Sequence, residues 1–513
     1  MKSFFEWFAA QPAETTSRWL IFGKGPSFAR RGEFDLSAYR TVALNHVVRD
    51  QPVDVAHAID IDVIEACADV IEHHASVVVL PWYPHHRNRP GNRTLADWTH
   101  DLPVLRRLEQ AGRLLWYDLG TSRRRHGPGP TVPAPYFSAE AVLSLLALAG
   151  ARQVRSLGVD GGATYSHEFA RLRETTLLNN GHQSFDTQFQ GFARTIMQTG
   201  VDFAPLTVES PIRVFVGAAP PQMLAVKVLE YSIRKHASMS VEVVPLFQAP
   251  LQYPMPKDPK NRPRTPFSFQ RFVIPSLKQF RGRAIYVDSD MQVFRDIREL
   301  WTLPFNGADL LAAREPGDTG RRPQFSVMLL DCERLRWNLT EIVGRLDSGE
   351  LDYEKLMYRM AVAERIEAAI DPHWNSLERY EDGKTALLHY TDMTRQPWLS
   401  RANPLNYLWT RDLLEAIERG VIGRDYVAAE VAAGHVRPSL LYQVDHRLED
   451  TALLPKAARA LDAKFVPPHE QGSGSIASFA ARPLRFARAA LRQLYHGSFL
   501  HDLQLRIRRR VNA

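Results

Sequence analysis

Cysteine is nearly missing from this chain: Cys67 and Cys332 are the only two among 513 residues. Two thiols that far apart supply neither a disulfide framework nor a cysteine metal site, and they suit a reducing cytoplasm. No apolar run approaches the ~20 residues that a membrane-spanning helix needs. The N-terminus makes a poor secretory leader, because its short apolar stretch is broken by Glu6 and runs into polar residues. An amphipathic first helix is expected there instead. No internal repeat is present. No helix-turn-helix, zinc-finger or RNA-binding signature occurs either, so nucleic acid is not an expected partner.

What remains has the composition of a soluble globular protein, 45% hydrophobic and 24% charged. Basic residues outnumber acidic ones by 64 to 57, a net charge of +7, which favours anionic partners such as nucleotide diphosphates or acidic lipid surfaces. A chain of 513 residues exceeds what one hydrophobic core organises, so two or three domains are expected.

Residues 1–206 read as alternating strands and helices. Short apolar strands are expected at Trp19–Phe22, Thr41–Leu44, Asp54–Asp60, Ser76–Leu80, Leu114–Tyr117 and Val154–Val159, with a helix at Ala139–Leu148. Strands interleaved with helices imply a mostly parallel α/β sheet. Pro205–Pro211 reads as a seam. A second α/β series then runs through a strand at Ile212–Val216, a helix at Met223–Lys235, a strand at Ser240–Val244, a helix at Phe269–Phe280 and a strand at Ala284–Val287. The expected domains are 1–206, 207–425 and a C-terminal extension, 426–513, with Glu470–Ser475 as a flexible linker.

The strand Ala284–Val287 delivers Asp288-Ser289-Asp290. The carboxyl ends of strands are where α/β sheets bind ligands. Two carboxylates spaced i, i+2 at a strand end can both reach one hard divalent ion, which neutralises charge on a leaving diphosphate. Such a triplet is weak alone, since a solvated turn gives the same pattern. Here apolar residues flank it, and burying two unpaired carboxylates among them would be costly.

Further elements follow in order: Thr265–Phe272 with its Arg271, Phe325–Asp331, Pro372–Asn375, and Leu387–Trp398. With the acidic triplet, these make residues 213–398 resemble glycosyltransferase family 8, whose members are retaining enzymes of the GT-A fold. The resemblance implies that Asp288, Asp290 and His389 hold Mn2+ or Mg2+. It places Phe215, Val216, Gly217, Ala218, Arg271, Ser289, Arg395 and Trp398 around a UDP-sugar donor. Asp331, Asp352 and Glu354 are the acidic candidates near the sugar, each equally readable as structure. The sequence departs from the family at Gln324–Val327, at Asp392 and Arg395-Gln396, and at Asp352–Glu354, all on the side where sugar and acceptor would bind.

In the first half, Gly23-Lys24-Gly25-Pro26-Ser27 follows a strand, and in such a loop backbone amides can approach a phosphate. Asn45 follows the next strand, and Leu157-Gly158-Val159-Asp160 a later one. This arrangement resembles the sialyltransferase-like fold of glycosyltransferase family 42. It implies a CMP-sugar near Gly25, Ser27 and Asn45, and His182 as a candidate general base. Whether this half is a second transferase or a non-catalytic scaffold stays open. The basic loops Tyr83–Arg93 and Arg123–His126 could hold an anionic acceptor or be solvated.

The stretch Arg482–Arg510 alternates arginines with apolar residues and reads as an interfacial helix on an anionic membrane surface, or as a helix docked on protein. The combined expectation is an α/β enzyme with two nucleotide-sugar-binding-type domains. It would be a metal-dependent glycosyltransferase, peripheral at the inner membrane face, extending a bacterial surface polysaccharide or lipid-linked glycan. The other expectation is an inactive carbohydrate-binding or assembly scaffold.

Overall fold

The computed structural model describes residues 1–471 except 123, 250–252, 266 and 314–324. The basic stretch 482–510 and Gln324 lie outside the described residues. Among the described residues, no helix is long and apolar enough to cross a membrane. The chain divides into two compact units: Met1–Pro211 with Ser238–Ser240, and Ile212–Ala237 with the chain from Val241 onward.

The first unit is built on nine strands: β1 (Lys2–Ser3), β2 (Arg18–Phe22), β3 (Arg40–Leu44), β4 (Val53–His57), β5 (Ala75–Pro81), β6 (Leu114–Leu119), β7 (Thr131–Val132), β8 (Gln153–Leu157) and β9 (Asp202–Pro205). They run in the order β1-β6-β5-β4-β3-β2-β8-β9, with β7 beside β6, and every pairing is parallel. The apolar strands explain the doubly covered sheet. Side chains alternate across a strand, so Trp19 and Ile21 enter one core while Leu20 and Phe22 enter the other. Val77 and Val79 likewise part from Val78 and Leu80. A run with no polar face must be buried on both sides. The strand order reverses between β2 and β8, whose carboxyl ends lead into the loops at Gly23–Ser27 and 158–160.

The second unit carries β10 (Ile212–Gly217), β11 (Val241–Pro245), β12 (Arg283–Asp288), β13 (Met291–Val293), β14 (Leu310–Ala313), β15 (Val327–Asp331), β16 (Ile366–Ile370), β17 (Ser376–Leu377) and β18 (Leu387–His389). The larger sheet runs β11-β10-β12-β15-β14-β16, with β15 antiparallel to both neighbours. The smaller runs β13-β18-β17. The helix expected at Phe269–Phe280 is instead a 3-10 turn, Gln270–Val273, followed by one turn, Ile274–Leu277. Pro275 withholds an N–H, and Gln279 and Phe280 take positive φ, so the helix cannot propagate. Past residue 420, where periodicity fades, the helices Arg424–Ala432 and Pro438–His446 continue the unit.

Candidate metal centre

Strand β12 ends at Asp288, and its parallel pairing with β10 sets Asp288 beside Gly217. Glycine is required there, because a Cβ would come within 2.3 Å of the Tyr286 hydroxyl. That hydroxyl donates to Asp288 Oδ1 at 2.6 Å. The chain then turns at Ser289, whose N–H donates to the Gly217 carbonyl, and enters β13. Antiparallel pairing of Met291 with His389 brings the imidazole to the triplet across almost 100 residues of sequence. His389 Nε2 lies 3.2 Å from Asp290 Oδ1. Donor atoms of Asp288, Asp290 and His389 all lie within 4.8 Å of one another.

Each of the three is held from behind. Arg271 is buried, 4.5 Å over the Tyr286 ring, with Nη2 3.7 Å from Asp288 Oδ1 and Nη1 donating to the Phe325 carbonyl. Gln396 Nε2 donates to Asp290 Oδ2 at 2.9 Å. His389 Nδ1 lies 3.0 Å from Asn375 Oδ1.

This arrangement fits a divalent cation. Asn375 Oδ1 can only accept, so Nδ1 of His389 carries a hydrogen, and Nε2 faces the carboxylate either protonated or, once deprotonated, with a lone pair for a cation. Two such atoms at 3.2 Å repel unless a proton or a cation lies between them. Burial raises the Asp288 pKa, against the lowering effect of Arg271, so this carboxyl gains from a nearby cation. His389 is pulled both ways: burial lowers its pKa, the Asp290 carboxylate raises it, and the carboxylate prevails. Two carboxylates and an imidazole with its far nitrogen anchored are a donor set for Mn2+, Mg2+ or a similar ion.

Other expected site residues fall elsewhere. Asp331 ends β15, but β15 is antiparallel to β12, so Asp331 pairs with Arg283 at the opposite edge of the sheet. That is five residues from Asp288, ~17 Å along a strand. Its carboxylate accepts from the amides of Glu333 and Arg334. The end of β15 near the site is its start at Val327, with Ser326 just before it. Asp352 caps the helix Tyr353–Arg359 by accepting from the Lys355 amide, and Glu354 stands exposed in its first turn. Phe215, Val216 and Ala218 are buried, and Gly217, paired with Asp288, is the strand-end residue beside the site. Trp398 is also a core side chain, packed against Trp409 and Tyr390. Arg395 is exposed and donates to the Ala402 carbonyl. Ser289 is buried, its hydroxyl without a hydrogen-bond partner.

In the first unit the expected phosphate loop is packed against the loop 157–160. Gly23 N–H donates to Leu157, Gly25 N–H to Gly158, Ser27 N–H to Asp160 and Phe28 N–H to Gly25, while Pro26 has none. The Ser27 hydroxyl joins Asp160 and accepts from Gly158 N–H. Its glycines serve a close crossing: a Cβ on Gly23 would meet the Gly158 carbonyl oxygen at 2.2 Å. The amides of Gly23, Gly25, Ser27 and Phe28 are therefore engaged within the unit. Asn45, at positive φ, accepts from Ser138 at the start of the helix Ser138–Ala149, and His182 packs on Phe137 and Tyr136.

Sequence reasoning missed Tyr286 and Gln396 as site residues, and it read Asn375 only as part of a motif. Tyr286 was findable, since i, i+2 spacing on a strand puts it on the same face as Asp288.

Fold and site together define an α/β protein with a carboxylate–imidazole centre at the carboxyl edge of a sheet. No family model matches the chain. It is 37% identical over 97 residues to Protein CDI of Arabidopsis thaliana, covering 18% of this chain. The match spans only 38% of that relative's length. Solved structures overlap it in part. The WbbM bifunctional glycosyltransferase has a TM-score of 0.29 at 13% identity, over 45% of this chain and 57% of that one. The galactosyltransferase LgtC has 0.28 at 12%, over 39% and 95%. The sialyltransferase CST-II has 0.23 at 10%, over 37% and 81%. Overlaps at these TM-scores carry no weight for function, which rests on the site.

Proposed function

We propose that the second unit is a metal-dependent glycosyltransferase that takes a UDP-sugar donor. The carrying observation is the meeting of Asp288, Asp290 and His389 at the end of β12. These residues would hold Mn2+ or Mg2+, which when bound would neutralise charge on the donor diphosphate as the sugar departs. Arg271 and Tyr286 keep Asp288 in place, and Asn375 fixes the His389 tautomer. Family resemblance supports retention of anomeric configuration and a surface polysaccharide or lipid-linked glycan as acceptor. A panel of UDP-sugars with Mn2+ tests this reading: donor turnover and metal-dependent UDP binding are expected, and both should vanish in Asp290→Asn. Absence of both in the intact protein would leave a binding or assembly scaffold.

For the first unit, the packed loop at Gly23–Ser27 favours a scaffold over a CMP-sugar transferase. CMP binding that weakens in Asn45→Ala would reverse that reading. The basic stretch 482–510 supports attachment to an anionic membrane surface, tested by vesicle flotation after truncation at residue 475.

A further inference from the structure

We propose that Gln396 is a positioning residue, which fixes the oxygen of Asp290 that faces His389 and Asp288 and is itself seated by the buried Arg437. The inference rests on the metal-centre reading and deepens it.

Gln396 is 3% exposed. Its Nε2 lies 2.9 Å from Asp290 Oδ2 and 3.2 Å from the Tyr390 carbonyl. An amide nitrogen has two hydrogens, and both are engaged. Rotating the amide by half a turn would set its oxygen against two acceptors, so its orientation is determined. Asp290 is thereby locked: Oδ2 accepts from Gln396, its carbonyl accepts from Tyr390 N–H at 2.8 Å, and Oδ1 is left toward His389 Nε2. Tyr286 and Arg271 hold Asp288 but do not reach Asp290 in this way.

Arg437 leads the helix Pro438–His446, far from the triplet in sequence. It is fully buried, and its guanidinium bonds the Pro397 carbonyl at 3.0 Å, the Ser439 hydroxyl at 2.5 Å and the Gln443 side-chain oxygen, with the Asp462 carboxylate one hydrogen bond further on through Ser439. Its N–H donates to the Trp398 carbonyl at 2.9 Å. Burying a guanidinium without a carboxylate in direct contact is unfavourable, and burial presses its pKa down to about 10 against the raising effect of Asp462. The local result is a grip on two successive carbonyls directly after Gln396. A side chain with two fixed acceptors needs a fixed backbone, and Arg437 supplies it.

The test uses the full chain and Mn2+ alone, titrated by electron paramagnetic resonance of the free ion. Gln396→Met is expected to weaken Mn2+ binding about tenfold, in the range found when partners behind metal ligands are lost. In donor turnover it should raise the Mn2+ concentration needed for activation while kcat at saturating Mn2+ stays within about threefold. Arg437→Lys keeps the charge and loses the fork, and should weaken Mn2+ similarly. The double variant should bind no more weakly than Gln396→Met alone, because Arg437 acts through Gln396. Mn2+ affinity within twofold of the parent in Gln396→Met overturns the proposal, and multiplying effects in the double variant overturn the role of Arg437. If Arg437→Lys does not fold, Gln396→Met still decides. A parent protein that binds no Mn2+ would sink the metal centre and this inference together, whereas a binding parent with an unaffected Gln396→Met sinks this inference alone.

Discussion

Replacing Glu140 by Gln should stabilise the first unit at alkaline pH and do little at acid pH. Glu140 is fully buried in the helix Ser138–Ala149. Its Oε2 accepts from the amides of Tyr136 at 2.9 Å and Phe137 at 2.7 Å. Its Oε1 has no hydrogen-bond partner, and the Arg194 guanidinium stands 3.9 Å away. Burial dominates the two amides and raises the pKa from 4.5 to about 7. The sign follows. The folded state favours the neutral acid, so this stability is complete below pH ~4.5 and lost as pH rises toward 7. At about 1.36 kcal/mol per pKa unit, the rise corresponds to about 3.4 kcal/mol in total. Of that, about 2.5 kcal/mol is lost between pH 5 and pH 8. Gln keeps an oxygen for the two amides and has no charge to bury. Its NH2 would occupy the place of the proton-bearing oxygen, so at acid pH it resembles the native acid. For a unit of this size, about 2–4 °C per kcal/mol makes the variant's advantage at pH 8 about 5–10 °C larger than at pH 5. Differential scanning fluorimetry of both proteins across pH 5–8.5 measures this. Equal melting differences at the two ends would refute the claim that Glu140 is kept neutral by burial.

Three further outcomes are expected in the second unit. Gly217→Ala, with its Cβ 2.3 Å from the Tyr286 hydroxyl, should cost about 1–3 kcal/mol in urea unfolding and weaken Mn2+ binding by displacing Tyr286 from Asp288. Lys235→Met removes the cation that bonds Asp412 at 3.0 Å and Glu415 at 2.5 Å, and leaves the buried Asp412 carboxylate with Gln292 as a neutral side-chain donor. It should cost about 3–5 kcal/mol, largely recovered by adding Asp412→Leu. Asp331→Ala should leave Mn2+ affinity unchanged within twofold, and a tenfold loss would contradict its place at the far edge of the sheet.

The parts of the fold that were legible in sequence are those fixed by local pattern. The strands of the first unit follow from short apolar runs, because a segment with no polar face has one place to go. Residues 269–280 misled, since apolar periodicity suggested a helix while Pro275 and the positive-φ pair Gln279 and Phe280 ruled it out. The Gly23–Ser27 loop misled for a longer-range reason. Whether a loop's amides face a ligand depends on their neighbours, and here a second loop, 157–160, takes them. Nothing in five residues of sequence records that contact.

Strand direction separates the residues that meet at the candidate metal centre from Asp331, which lies away from it. Asp288 and Asp290 need only one strand end, and their spacing states it. His389 needs a pairing, and the Met291–His389 register supplies it. Asp331 also ends a strand after an apolar run, so by pattern it looks like Asp288. The two differ only in that β15 runs against β12, so the same run delivers its carboxylate to the opposite edge. An acidic residue closing an apolar strand is therefore a site candidate only once the strand's sense is known. By that argument, the end of β15 that belongs to the site is its beginning, where Arg271 donates to the Phe325 carbonyl and Val327 pairs with Val287. Phe325–Val327 also lies within Gln324–Val327, where the sequence departs from the family 8 pattern that it resembles in other elements. On the proposed function, substitutions at Ser326 should therefore alter donor-sugar preference in the UDP-sugar panel while leaving Mn2+ affinity alone. A Ser326→Ala protein with unchanged sugar preference and weakened Mn2+ binding would show that the start of β15 serves the ion instead.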